Sequence, residues 1–203
     1  MKVKIAVFDY CETLVNIQTG NDFLNSYIHQ NKGIIVKTIA YFISYLRIFK
    51  PRRKALLLRL LSGQSLESIE KFAKFYASER LESEENRNVL EFMKKLKQEG
   101  YKLIILSAGY SVYIKAHNNK LKADMVIAND FHYINSIFTG RLTQQDCFGD
   151  VKLKRLKEAF INQKIDYENS YFFSDCVSDL PLFKSFGNSF LVTQQNIVPF
   201  SKK

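Results

Sequence analysis

The side chains that could do chemistry sit at the ends of short apolar runs. Residues 3–8 form an apolar, partly β-branched run of the kind found in a buried strand. It leads into Asp9, with Cys11, Glu12 and Thr13 behind it. A carboxylate just past the C-terminal end of a buried strand stands where open α/β sheets place ligands. It can attack an electrophile or bind a cation. A second run, 102–106, ends in Ser107-Ala108-Gly109, and a third, 171–173, ends in Ser174-Asp175-Cys176-Val177-Ser178-Asp179. Between them Gly149-Asp150-Val151-Lys152 opens a helical pattern carrying Leu153, Leu156 and Phe160. Singly, each residue has a plainer reading. Asp9 or Asp175 is a turn or cap residue, Asp179 a surface carboxylate, Lys152 a solvated lysine and Ser107 a turn serine. Together the plain readings require several coincidences in one order.

The elements that must hold these side chains alternate between strand and helix. After the first strand the pattern predicts helices over 22–30, 33–49, 52–61 and 65–80. Pro51 and Ser62-Gly63 break them. Ser65 caps the fourth, with Glu67 in its first turn. A helix over 84–99 places Val89, Leu90, Met93 and Leu96 on one face and stops at Gly100, as a crossover returning to the sheet does. Then come a helix over 110–120, a strand over 125–128 and a short β excursion over 131–142 around Thr139-Gly140. A helix over 180–186 and a strand over 190–192 close the pattern. Residues 199–203 carry no signal, and there is no internal repeat. The alternation predicts an α/β fold with a doubly wound, mostly parallel sheet.

Asp9, Ser107, Lys152, Asp175 and Asp179, in this order, resemble the four motifs of the haloacid dehalogenase superfamily. Those motifs run D-x-D-x-T, then Ser or Thr, then Lys, then D-x-x-x-D. The family's second Asp is replaced here by Cys11. The resemblance covers nearly the whole chain and is strongest to the phosphoserine-phosphatase-like branch, whose helical cap follows the first motif. It implies a Rossmann-like catalytic core over 1–15 and 86–203 with an inserted helical-bundle cap over 16–85. It also implies a Mg2+-dependent phosphatase acting through an aspartyl-phosphate on a small phosphorylated metabolite, or a lipid or sugar phosphate.

By the same resemblance Asp9 is the nucleophile. Asp9, Asp175 and the backbone carbonyl of Cys11 hold Mg2+, an ion suited to hard oxygen ligands, with Asp179 binding it or orienting its waters. Ser107 and the amide of Ala108 hydrogen-bond the phosphoryl oxygens, Lys152 neutralises them, and Thr13 braces the loop. Gln18 aligns with a substrate-contacting Glu of phosphoserine phosphatases. A neutral Gln offers no countercharge to an ammonium group, which argues against phosphoserine. The family Asp at position 11 protonates the leaving oxygen and then activates water. A thiol of pKa about 8.5 is a poor base at neutral pH, so Cys11 implies slow hydrolysis. Phosphotransfer, or weakly catalytic binding of a phosphorylated ligand on the same fold, is the alternative.

Composition sets the remaining bounds. The 203 residues suit one core domain with an insertion. Cys11, Cys147 and Cys176 share no metal-ligand spacing and fit reduced thiols in the cytoplasm better than a disulfide framework. No signal peptide is read at the N-terminus, and no uncharged run is long enough to span a bilayer. The net charge of +10 suits an anionic partner. The basic residues form no nucleic-acid motif, so none is expected to bind. Residues 33–49 are apolar almost all round. This suits a buried cap helix, or else a peripheral contact with lipid.

Overall fold

A computed structural model describes residues 2–45, 50–194 and 196–201. In chain order its elements are β1 (Ile5–Phe8), α1 (Thr19–Asn31), α2 (Ile34–Tyr45), α3 (Lys50–Leu60), α4 (Leu66–Tyr76), α5 (Arg87–Gln98), β2 (Lys102–Tyr110), α6 (Ser111–Leu121) and β3 (Met125–Asn129). They continue with β4 (Phe131–Ile134), β5 (Ile137–Leu142), α7 (Asp150–Ala159), β6 (Tyr171–Ser174), α8 (Leu180–Ser185), β7 (Asn188–Val192) and β8 (Ile197–Pro199). Six strands form one sheet in the order β3-β2-β1-β6-β7-β8, parallel except for β8. Strand β1 is central. Phe8 pairs with Ile105 on one side and Phe173 on the other.

Successive strand residues point to opposite faces, and both faces are covered. Ile5, Val7, Ile104, Leu106 and Phe172 pack with Leu156, Phe160, Leu182 and Phe183 of the α7–α8 side. Ala6, Phe8, Leu103, Ile105 and Phe173 belong to a second cluster. That cluster continues without a break through Val89 and Met93 of α5 and Tyr113 of α6 into Phe23, Leu57 and Phe72 of the helices inserted after β1. The insertion is also tied to the hairpin β4–β5. Gly63 N–H donates to Phe138 O at 2.9 Å and Leu66 N–H to Ser136 O at 2.8 Å.

Several elements depart from the sequence pattern. Helix α4 is capped by Ser65, whose Oγ accepts from Ser68 N–H at 3.2 Å. It ends as an α-helix at Tyr76 and continues as a π-helical turn, Ala77–Leu81, and a 3-10 turn, Glu82–Glu84. Strand β2 runs on to Tyr110 rather than ending before Ser107, with its register to β3 shifting between Leu106 and Tyr110. The unsignalled C-terminal stretch supplies β8, an antiparallel edge strand ending at Pro199. The expectation of a buried helix over 33–49 does not hold for its described part. In α2 only Ala40 and Ile43 are buried, and residues 46–49 lie outside the described residues. Among the described residues no helix is long and apolar enough to cross a membrane.

Candidate active site

Asp9 follows the last residue of β1 and Asp175 the last residue of the neighbouring β6, so both stand at the carboxyl edge of the sheet. Asp9 N–H donates to Phe173 O at 2.9 Å, continuing the ladder one residue past the strand. The loop then folds back on itself. Tyr10 O accepts from Leu14 N–H at 3.0 Å and Val15 N–H at 3.2 Å. Glu12 takes a left-handed conformation at φ 52°, a region that non-glycine residues seldom enter.

Lys152 arrives from the opposite side. Gly149, at φ 57°, precedes α7 and lets the chain turn into the helix, placing Lys152 in its first turn. The side chain is buried, and its Nζ lies 3.0 Å from Asp9 Oδ2 and 2.7 Å from Asp179 Oδ2. Asp179 ends a 3-10 turn, Val177–Asp179, directly after the Asp175 loop and is fully buried. Ser174 Oγ donates to the same Oδ2 at 2.7 Å. Thr13 Oγ1 donates to Asp175 Oδ1 at 3.2 Å and accepts from Asp175 N–H at 3.0 Å, joining the two acidic loops.

Burial pushes the Asp9 carboxyl up to about 6, with Lys152 opposing the rise and Asp179 and Asp175 adding to it. Burial likewise raises Asp175. For Lys152 burial pulls the ammonium down, but Asp9 and Asp179 outweigh it and hold the group above its ordinary value. One buried cation is thus held charged by the two carboxylates that touch it.

Cys11 sits two residues past Asp9. Its Sγ is 2.8 Å from Thr19 Oγ1, which in turn is 2.7 Å from Tyr113 Oη. Burial raises the thiol pKa, Asp9 raises it further, and the Thr19 bond pulls the other way. The thiol is thus held in its neutral form. Ser107 and Ala108 lie on β2, beyond the Ile105 that pairs with Phe8. Ser107 is fully buried, and its Oγ accepts from Gly109 N–H at 2.9 Å. Gln18 is exposed and its amide donates to Glu12.

The geometry therefore joins Asp9, Lys152 and Asp179 directly and Thr13 to Asp175. It places Cys11, Ser107 and Ala108 on the adjoining loop and strand, and leaves Gln18 on the rim against Glu12. Several participants carry no signal in the sequence. Thr19 is found only through its bond to Cys11, and Tyr113 through its bond to Thr19. Lys54 of α3 reaches Ala108 O at 3.0 Å and Asp146 Oδ1 at 2.7 Å, and Asn129 Nδ2 donates to the same two atoms at 2.8 and 2.6 Å. Thr19, Tyr113, Lys54 and Asn129 come from four separate elements, so no local spacing could reveal them.

The donor set also suits Mg2+. Among the described residues no three or more His, Cys, Asp or Glu side chains are gathered to enclose a metal. Mg2+ needs no such cage, because it keeps several waters and uses one or two carboxylates. Asp179 Oδ1 is buried without a hydrogen-bond partner, an acceptor of the kind a hydrated cation satisfies.

The family profile of haloacid dehalogenase-like hydrolases matches residues 6–184. A phosphoserine phosphatase of Streptococcus thermophilus (strain ATCC BAA-250 / LMG 18311) is 25% identical over 102 residues, 50% of this chain and 47% of that protein. This match thus spans about half of that relative. Two solved structures share the fold. A protein of unknown function from Bordetella pertussis Tohama I superposes with a TM-score of 0.77 at 16% identity, over 93% of this chain and 89% of that one. A phospho-aspartyl intermediate analogue of phosphoserine phosphatase superposes with a TM-score of 0.64 at 21% identity, over 93% and 86%. With the family profile covering most of the sequence, the chain belongs to the haloacid dehalogenase-like hydrolases.

Proposed function

We propose that the protein is a Mg2+-dependent phosphomonoester hydrolase acting on a small phosphorylated compound, with residues 1–15 and 86–203 as its catalytic core and 16–85 as its cap. The observation that carries this reading is the buried contact of Lys152 with both Asp9 and Asp179 at the carboxyl edge of the sheet. A phosphate ester resists attack because its oxygens are already negative, so a site needs a nucleophile, countercharge and orientation. Asp9 attacks phosphorus and forms an aspartyl-phosphate as the ester P–O bond breaks and the leaving oxygen takes a proton from the Cys11 thiol or from water. Water then attacks the same phosphorus, releasing phosphate and restoring Asp9. Lys152 neutralises the phosphoryl oxygens, Ser107 and the Ala108 amide orient them, and Thr13 fixes the Asp175 loop to the nucleophile loop. Asp9, Asp175 and the Cys11 carbonyl would hold Mg2+, with Asp179 behind them, and the ion would supply further positive charge to the phosphoryl oxygens.

Cys11 sets the rate. A neutral thiol bonded to Thr19 donates a proton weakly and is a poor base for water. Hydrolysis of the phosphoenzyme is then the slow step, which also favours a second reading, transfer of the phosphoryl group to an acceptor other than water. Gln18, engaged by Glu12, supports a substrate other than phosphoserine. The three free thiols support a reducing compartment such as the cytoplasm. The test is a screen of phosphorylated metabolites, sugars and lipid head groups with Mg2+ and with EDTA. Turnover that needs Mg2+ and falls in Asp175→Asn is expected, and full activity in EDTA contradicts the reading.

A further inference from the structure

Helix α2 wears its amphipathicity inside out. Its buried residues are Ala40 and Ile43, whereas Ile34, Ile35, Ile39, Tyr41, Phe42 and Tyr45 are between 43% and 77% exposed. At 100° per residue these six share one arc of the helix with Thr38. No charged residue lies on that arc, because Lys37, the only charged residue of α2, falls on the other side. The Thr38 hydroxyl is turned to the backbone, donating to Ile34 O at 2.9 Å. Tyr41 and Tyr45 stack with centroids 6.2 Å apart. The only other polar atoms this face carries are their hydroxyls. A contiguous apolar face of this kind on a water-exposed helix marks a contact surface.

The charge around the face selects the occupant. Between Asp22 and Glu67 the sequence has eight Lys or Arg and no Asp or Glu. Helix α3, which follows and packs on α2, carries Arg52 near its start and Arg59 in its last turn, both exposed, while Lys54 between them is turned inward to Asp146. A second copy seated on this face would bring two such cationic segments together, which like-charge repulsion opposes. An anionic bilayer meets every feature. Its acyl boundary takes the isoleucines and Phe42, its interface suits tyrosines with an apolar ring and a polar tip, and its head groups pair with the basic flank. We propose that the exposed face of α2, with the basic α3 beside it, docks the protein on an anionic lipid surface without crossing it.

The test uses the full chain with vesicles of phosphatidylcholine alone and of phosphatidylcholine mixed with phosphatidylglycerol. Flotation with the anionic vesicles is expected at low salt, weaker at high salt where head-group attraction is screened, and weaker with neutral vesicles. Ile35→Asp/Phe42→Asp changes only exposed side chains, so its melting temperature should match wild type while the floated fraction falls at least about tenfold. Arg52→Glu/Arg59→Glu should lose binding to anionic vesicles specifically. Three results overturn the proposal: no flotation of wild type at low salt, equal flotation of Ile35→Asp/Phe42→Asp, or a dimer in sedimentation that this double variant dissociates.

Discussion

Replacing Asp9, the proposed nucleophile, should remove turnover and yet stabilise the metal-free protein. Burial lifts the Asp9 carboxyl from 3.8 to about 6 even with Lys152 beside it. Each pKa unit corresponds to about 1.4 kcal/mol, so ionising Asp9 in the folded protein is disfavoured by about 3 kcal/mol above pH 6. Asp9→Asn removes that charge. It also weakens two hydrogen bonds, from Tyr10 N–H at 2.7 Å and from Lys152 Nζ at 3.0 Å, at roughly 1 kcal/mol in total. The net gain is about 2 kcal/mol, and at about 2–4 °C per kcal/mol for a chain of this size the melting temperature rises by about 4–8 °C. The sign follows from proton binding. The folded state holds the Asp9 proton more tightly than the unfolded chain, so wild type loses stability as pH rises from 3.8 through about 6. The gap between variant and wild type should therefore be small near about pH 4.5 and fully open near about pH 7.5. Thermal melts in EDTA at these two pH values make the measurement. Mg2+ should narrow the gap by binding the wild-type carboxylate. An Asn variant that melts at or below wild type at the higher pH, or a gap that ignores pH, refutes the electrostatic account.

Cys11→Asp restores the acid and base that the family pattern places there. Single-turnover kinetics should show dephosphorylation accelerated by about 10²–10⁴-fold, and a wild type already as fast as Cys11→Asp would mean that another group activates water. Burial holds the pKa of His117 below its ordinary 6.5 despite Glu85 beside it. The neutral ring accepts from Tyr10 O–H through Nδ1 at 2.7 Å and donates to Glu85 through Nε2 at 3.0 Å. On acidification the unfolded chain takes the proton first, so stability present above pH 6.5 is lost as pH falls below it. His117→Gln should flatten that part of the stability profile in chemical denaturation series, and an unchanged slope would show that His117 is not its source.

The fold was legible because its parallel sheet writes itself into the sequence. Strands covered on both faces need short apolar runs, and 102–106 and 171–173 mark β2 and β6 to within a few residues. What escaped was local geometry set by distant partners. Strand β2 carries on past Ser107-Ala108-Gly109 because it pairs with β3 again at Tyr110, after a register shift, and β8 exists because β7 offers it an edge. That Asp9, Lys152 and Asp179 meet, with Thr13 on Asp175, was legible because each ends a strand or opens a helix at the sheet's carboxyl edge. Their supports were not. Thr19, Tyr113, Lys54, Asn129 and Asp146 act through contacts between segments that nothing in local spacing links. Helix α2 stayed open between core and surface because a hydrophobic pattern reports which residues are apolar and not which of them the fold covers.

If Asp9, and not the thiol two residues away, carries the phosphoryl group, the group must be recoverable on its carboxylate. Incubating the protein with Mg2+ and para-nitrophenyl phosphate, quenching in acid and mapping the modified peptide by mass spectrometry tests it directly. An acyl-phosphate on Asp9 is expected to build up in wild type, to decay faster in Cys11→Asp and to be absent in Asp9→Asn together with turnover. A phosphoryl group on Cys11, or turnover retained by Asp9→Asn, would contradict it.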